Sequence, residues 1–235
     1  MVQLTQHRPY LTLRVKFKKV GSLQYISHLD LVRTMHKIIV RAKLPLWYTE
    51  GFNPKPKMIF AAPLSIGTES LTEFMDLKLI DDIPPEEAMR RLNANLTDEM
   101  QVLDAYYTET KQTDLKWLEY DISITTTGAD ADLAQRCRAA LLADSVTVAK
   151  KGKPGEEVKY MDIRPLIKDV ECRFDGGRIE MRCILSADAS SFLNPEYVIK
   201  ALRSSVGVLT DPDLTSEYYT IMRTKAYKDD MSLFA

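Results

Sequence analysis

The chain has 235 residues, 45% of them hydrophobic and 28% charged, which is enough apolar side chain for two small cores and excludes a disordered polyelectrolyte. Its 32 Lys and Arg against 33 Asp and Glu leave a net charge of -1, so any anion-binding surface must come from local asymmetry. MVQLTQHRPY has no apolar stretch resembling a signal peptide, and the longest aliphatic run, near Ile38 to Val40, is far too short to span a bilayer, so a cytoplasmic location is the expectation.

The first predicted element is a strand. From Leu11 to Phe17 the residues alternate, with Leu11, Leu13, Val15 and Phe17 on one face and Thr12, Arg14, Lys16 and Lys18 on the other. Ser27 followed three residues later by Asp30 is a capping-box-like start, because hydroxyl and carboxylate satisfy amide donors left free in a first helical turn. The helix runs from about His28 to Lys43 and stops before Pro45. Leu31, Val32, Met35, Ile39 and Ala42 form its apolar face, and Arg33, Lys37 and Arg41 form a stripe on the other side. A short strand at Leu46 to Glu50, a turn at Gly51 to Pro56 and strands at Lys57 to Pro63 and Phe74 to Leu79 follow. After Pro84-Pro85 comes a helix, Glu86 to Leu96.

Beyond a polar stretch at Thr108 to Asp114 a similar order begins again. Strand Leu118 to Thr126 precedes a helix from about Ala129 to Ala143, then strands at Ser145 to Ala149, Val158 to Ile163, Val170 to Phe174 and Arg178 to Leu185. Asp175-Gly176-Gly177 is a strong hairpin signal between the last two. Helix Asn194 to Leu202, with Pro195 at its start, and strand Tyr218 to Thr224 complete the chain. The expectation is an α+β protein: two ferredoxin-like domains in tandem, residues 10–110 and 115–228, each an antiparallel sheet with helices packed on one face. The loop between the second and third strands is basic and proline-containing in both halves, as Pro54-Lys55-Pro56-Lys57 and Lys150-Lys151-Gly152-Lys153-Pro154.

Between Tyr10 and Phe60 ten Lys or Arg face only two acids, Asp30 and Glu50, which points to an anionic partner. Arg14, Lys16 and Lys18 project from the polar strand face, as on sheets that read single-stranded RNA, and Arg33, Lys37 and Arg41 add the helical stripe. In GFNPKPK, Gly51 permits a positive φ while Pro54 and Pro56 stiffen the presentation of Lys55 and Lys57, which suits phosphate. Trp47, Tyr48 and Phe52 flank this turn. They either fill a core, the commoner role of aromatics beside a strand, or stack on unpaired bases at about 1–3 kcal/mol each.

His28 has the chemistry of a general acid or base, but helical phase puts it on the side of Leu31, Val32 and Met35, which favours a packed core histidine. His36 has no acid nearby in sequence, and no metal-ligand spacing or cofactor motif joins the histidines. Asp76, and Asp162 beside Arg164, are either acid/base partners or, the commoner case, solvated strand-edge carboxylates. Cys137, Cys172 and Cys183 form no CxxC pair and read as buried thiols, with Cys172 and Cys183 not opposite each other in the hairpin.

The stretch VGSLQYISHLDLVRTMHKIIVRAKLPLWYTEGFNPKPKMIFAAPLSIGTES, and more faintly IMRTKAY, resembles the bacterial radical-SAM-linked proteins, a domain of unknown function. The resemblance implies a cobalamin-binding radical SAM protein as partner. The chain itself lacks that enzyme's three-cysteine cluster motif, and Lys55 stands where the family's turn usually has histidine. The order of strand, SHLDL helix and basic turn is also remotely similar to tandem ferredoxin-like endoribonucleases that process CRISPR transcripts. Three functions follow as expectations. The leading one is an RNA-binding accessory in RNA modification or processing, without catalysis of its own. The others are a metal-independent endoribonuclease using His28, with Lys57 or Arg33 stabilising the phosphorane, and a protein-binding adaptor of a radical SAM enzyme.

Overall fold

The computed structural model describes residues 10–150, 157–211 and 215–235. It divides into two compact units, one ending at Gln112 and including Ala235, the other running from Thr113 to Phe234. Among the described residues the fold is mixed α/β, with four α-helices and antiparallel strand pairing.

The first unit contains β1 (Leu11–Lys19), a 3-10 turn at Gly21–Tyr25, α1 (His28–Arg41), β2 (Met58–Phe60), β3 (Thr68–Leu79), α2 (Pro85–Asn93) and β4 (Met100–Tyr107). The alternation in β1 buries Leu13, Val15 and Phe17 against Met75, Leu77 and Leu79 of β3. Helix α1 contributes Leu31, Met35, Ile38 and Ile39 to that core, and α2 contributes Ala88 and Leu92, so both helices cover one sheet face. The cap forms as its residue types dictate: Ser27 Oγ accepts the Asp30 amide at 3.1 Å and donates to the Asp30 carboxylate at 2.7 Å. Strands line up as β4-β1-β3, with β2 on the far side of β3.

One expected strand is absent and one observed strand was not expected. Leu46 to Glu50 forms no strand of the sheet; it makes only the isolated bridges Leu46↔Leu79 and Tyr48↔Pro56, because the chain folds back on itself there. Strand β4 has no counterpart in the predicted elements. Its pairing passes from Lys16↔Asp104 to Phe17↔Val102, leaving Leu103 as an extra, exposed residue whose bulge breaks the alternation that would have revealed the strand.

The second unit contains β5 (Trp117–Thr125), α3 (Ala131–Leu141), β6 (Thr147–Lys150), β7 (Lys159–Asp162), β8 (Ile167–Asp175), β9 (Arg178–Ser186), α4 (Glu196–Ser205) and β10 (Tyr218–Tyr227). Its strands lie in the order β10-β5-β9-β8, while β6 and β7 pair only with each other. Asp130 caps α3 by accepting the Leu133 amide at 2.7 Å. Gly176 and Gly177, at φ of 56° and 81°, close the β8–β9 hairpin where Asp-Gly-Gly predicts it. All three cysteines are free; Cys172 faces Met181 and Cys183 faces Val170, and burial pushes the Cys137 thiol up to about 11.

Of the two basic segments, the first occupies a different connection from the one expected, whereas Lys150 ends β6, the second strand of its half, as expected. Lys55 and Lys57 precede β2, and Lys150 lies in the excursion before β8, so each follows its unit's first helix and precedes the second strand of the sheet. The remainder of the second segment, Lys151 to Pro154, lies outside the described residues, as does His7.

Candidate functional site

The site is built on α1 and the excursion that follows it. Residues 47–57 form a hairpin held to β3: the Trp47 amide donates to the Lys78 carbonyl at 2.8 Å, and the Lys78 amide donates to the Lys57 carbonyl at 3.1 Å. Its two arms are tied to each other. The Lys57 amide donates to the Trp47 carbonyl at 3.1 Å, the Thr49 amide to the Lys55 carbonyl at 2.9 Å and the Lys55 amide to Thr49 Oγ1 at 3.1 Å. Gly51 takes a φ of 122°, a left-handed value open to glycine, and this permits the tip.

The aromatic residues divide. Trp47 is half-buried, 5.8 Å from the Tyr10 ring and beneath the Lys57 ammonium at 5.7 Å. Tyr48 is exposed, and Phe52 at the tip is 112% exposed, so it fills no core. An apolar ring fully in water is the side chain of this site most in want of a partner.

Arg33, Lys37, Arg41, Lys55 and Lys57 are all exposed. Arg33 is partly neutralised by Asp30 at 3.3 Å, a surface pair of small net worth. Lys37, Arg41 and Lys55 make no ion pair among the described residues. One electrostatic link joins the helix to the hairpin. His36, half-buried on α1, has its pKa lowered by burial and then by the charge of Lys55, which places the hairpin lysine within electrostatic reach of the helix. That proximity has no signal in the sequence, where the two residues are separated by a helix end, a proline and a turn.

The strand cations are not part of this surface. Arg14 was expected on an open face, yet it is fully buried, with Nε and Nη2 donating to the two oxygens of Asp76 at 2.8 and 3.1 Å and further bonds to Thr110. The correction has a simple cause: β1 is the middle strand, Asp76 lies directly opposite on β3, and a bidentate pair holds both charges inside. Asp76 is therefore no solvated edge carboxylate. Lys16 and Lys18 are half-buried, and Lys16 lies on the same sheet face as Arg14, away from α1 and opposite Asp104 of β4.

His28 also departs from the reading by helical phase. It is exposed, its ring edge-on to Phe60 at 5.4 Å, because it is the first residue of α1 and the apolar face begins only at Leu31. Asp162, in the other unit, accepts the Arg164 and Val146 amides, both at 2.9 Å, which lowers its pKa and gives it a turn-closing role. Among the described residues no group of three or more His, Cys, Asp or Glu side chains is placed to hold a metal ion. No helix there is long and apolar enough to cross a membrane.

A family model described as "Uncharacterized protein conserved in bacteria (DUF2344)" matches residues 12–195. The chain belongs to this family. The match to DUF2344 takes in the whole of α1, the 47–57 hairpin and most of the second unit. No curated protein matches the sequence. Among solved structures, a chain of the "Crystal Structure of a Cbf5-Nop10-Gar1 Complex" is similar at 11% identity and a TM-score of 0.50, over 93% of this DUF2344 chain and 50% of that one. The DUF2344 chain thus spans half the length of that neighbour, and at this identity the likeness is one of fold. A crystal structure of an unknown protein from Galdieria sulphuraria matches at 9% identity and a TM-score of 0.27, over 92% and 99% of the two chains.

Proposed function

We propose that this protein is an RNA-binding accessory in RNA modification or processing, acting in the cytoplasm, and that α1 with the 47–57 hairpin is its RNA-contacting surface. One observation carries the reading: α1 exposes three cations, and the hairpin that follows it exposes Lys55 and Lys57 and presents Phe52 wholly to solvent. Exposed cations on two adjoining elements suit a phosphate backbone, and a free aromatic tip suits an unstacked base. The reading takes each unit as a ferredoxin-like sandwich. Its support is that each has the order βαββαβ, apart from the inserted β6–β7 pair, and the strand order last-first-third-second.

A cobalamin-binding radical SAM protein is the proposed partner, on the resemblance of the SHLDLVR and GFNPKPK segments. The test is retention of cellular RNA by the immobilised protein as salt is raised. Salt-sensitive retention that is lost when Lys55 and Lys57 are changed to Glu supports the reading. Failure to retain RNA at low salt, or retention indifferent to those changes, removes it. Co-purification of the radical SAM protein without nucleic acid would favour the adaptor reading instead.

The exposure of His28 favours one second reading, a metal-independent endoribonuclease in which its imidazole moves a proton. Cleavage of RNA by the wild type that disappears in a folded His28→Ala variant would support it. Absence of cleavage by the wild type would dismiss it.

A further inference from the structure

The excursion β6–β7 stands outside the sheet of its unit. Among the described residues its two strands pair only with each other, through Thr147↔Asp162, Val148↔Met161, Ala149↔Tyr160 and Lys150↔Lys159. Val148 is buried and Met161 half-buried, with β6 against α4, and this anchors the base of the ladder. Toward its far end the arm leaves the protein: Ala149, Lys150 and Lys159 are exposed, and Tyr160 is 71% exposed.

The last pair is the unusual one. Lys150 and Lys159 are directly opposite across an antiparallel ladder, where like charges repel, and neither makes an ion pair or side-chain hydrogen bond among the described residues. A two-stranded ladder is marginal by itself, and this one ends on a repulsive pair. The arrangement costs stability in the free protein and is relieved when an anion lies between the two ammonium groups. A second, independent observation points the same way. The arm occupies, in the second unit, the connection between first helix and second sheet strand that holds the Lys55 and Lys57 hairpin in the first. Both excursions carry exposed lysines and an exposed aromatic side chain, Phe52 in one and Tyr160 in the other.

We infer that β6–β7 is a second polyanion-binding arm, in which Lys150 and Lys159 together hold a phosphate of the RNA backbone. The inference rests on the RNA-binding reading above and adds a site on the second unit. Tyr160 projects from the opposite face of the ladder, where a base can stack on it.

The test uses the full chain and a labelled oligouridylate of about 20 nucleotides, with affinity measured between about 50 and 200 mM salt. Two variants are compared with the wild type, Lys150→Gln/Lys159→Gln and Lys55→Gln/Lys57→Gln. Each lost phosphate contact lowers the slope of log affinity against log salt by about 0.7 for single strands, so the arm variant, which loses the one phosphate held between its two lysines, is expected to lose about 0.7. Its unfolding temperature should equal or exceed that of the wild type, because the repulsion is gone, and that separates lost contact from lost fold. An unchanged slope in the arm variant, with the hairpin variant still weakened, overturns the arm and leaves the hairpin reading standing. Absence of binding by the wild type overturns both.

Discussion

At the scale of single residues the deciding feature is whether a charge has a partner. Arg14 and Asp76 are both buried, and removing one of a buried bidentate pair takes from the other the charge that compensates its desolvation. Asp76→Ala should cost about 3–5 kcal/mol in urea unfolding, whereas Arg14→Met with Asp76→Leu should recover most of that loss. His36 offers a direct probe of the site. Its lowered pKa means that the unfolded chain takes up a proton first as pH falls below the ordinary value of 6.5, so the fold loses stability there and not above it. Changing Lys55 to Gln removes the repulsion and should move His36 upward in an NMR titration; no movement would mean that hairpin and helix are not neighbours. Residue types alone could not disclose either arrangement. Alternation assigns Arg14 to the polar face correctly, but only the strand order makes β1 central and sets Asp76 opposite it.

At the scale of elements, legibility followed the strength of the local signal. Helix α1 announces itself by a cap and a sustained apolar period, and the β8–β9 hairpin by Asp-Gly-Gly. Strand β4 does not, since the bulge at Leu103 interrupts its alternation. Strand β3 begins at Thr68, well before Phe74, because its first half buries Thr68, Ser70, Thr72 and Glu73, residue types that read as loop. Connections between elements rest on similar polar ties. The Glu217 carboxylate accepts from Thr126 Oγ1 at 2.6 Å, the Thr127 amide at 2.7 Å and the Asp211 amide at 2.6 Å, joining the segment after β5 to the one before β10. The Thr126 hydroxyl, followed by the two amides, pulls the Glu217 carboxyl down to about 2 from 4.5. A depressed carboxyl stabilises the fold above its unfolded value and loses that contribution as pH falls through the folded one. Acid unfolding monitored from pH 4.5 down to about 2 should therefore be less steep in Glu217→Gln than in the wild type.

At the scale of the whole molecule, two units with the same strand order each carry a lysine-bearing excursion between first helix and second sheet strand. The sequence makes the basic segments visible, but assigns the first to the wrong connection, because Leu46 to Glu50 has strand-like composition without a place in the sheet. The stripe of Arg33, Lys37 and Arg41 was legible from a four-residue spacing, while the effect of Lys55 on His36 depended on how the chain returns after Pro45. The central claim, that stripe and hairpin form one RNA-contacting surface, is tested most directly by the salt dependence of binding to a labelled oligouridylate. Changing Lys37, Arg41, Lys55 and Lys57 to Gln should lower the slope of log affinity against log salt by about 2.8 while the unfolding temperature stays near that of the wild type. A slope unchanged by the four substitutions, in a variant that remains folded, would contradict the account.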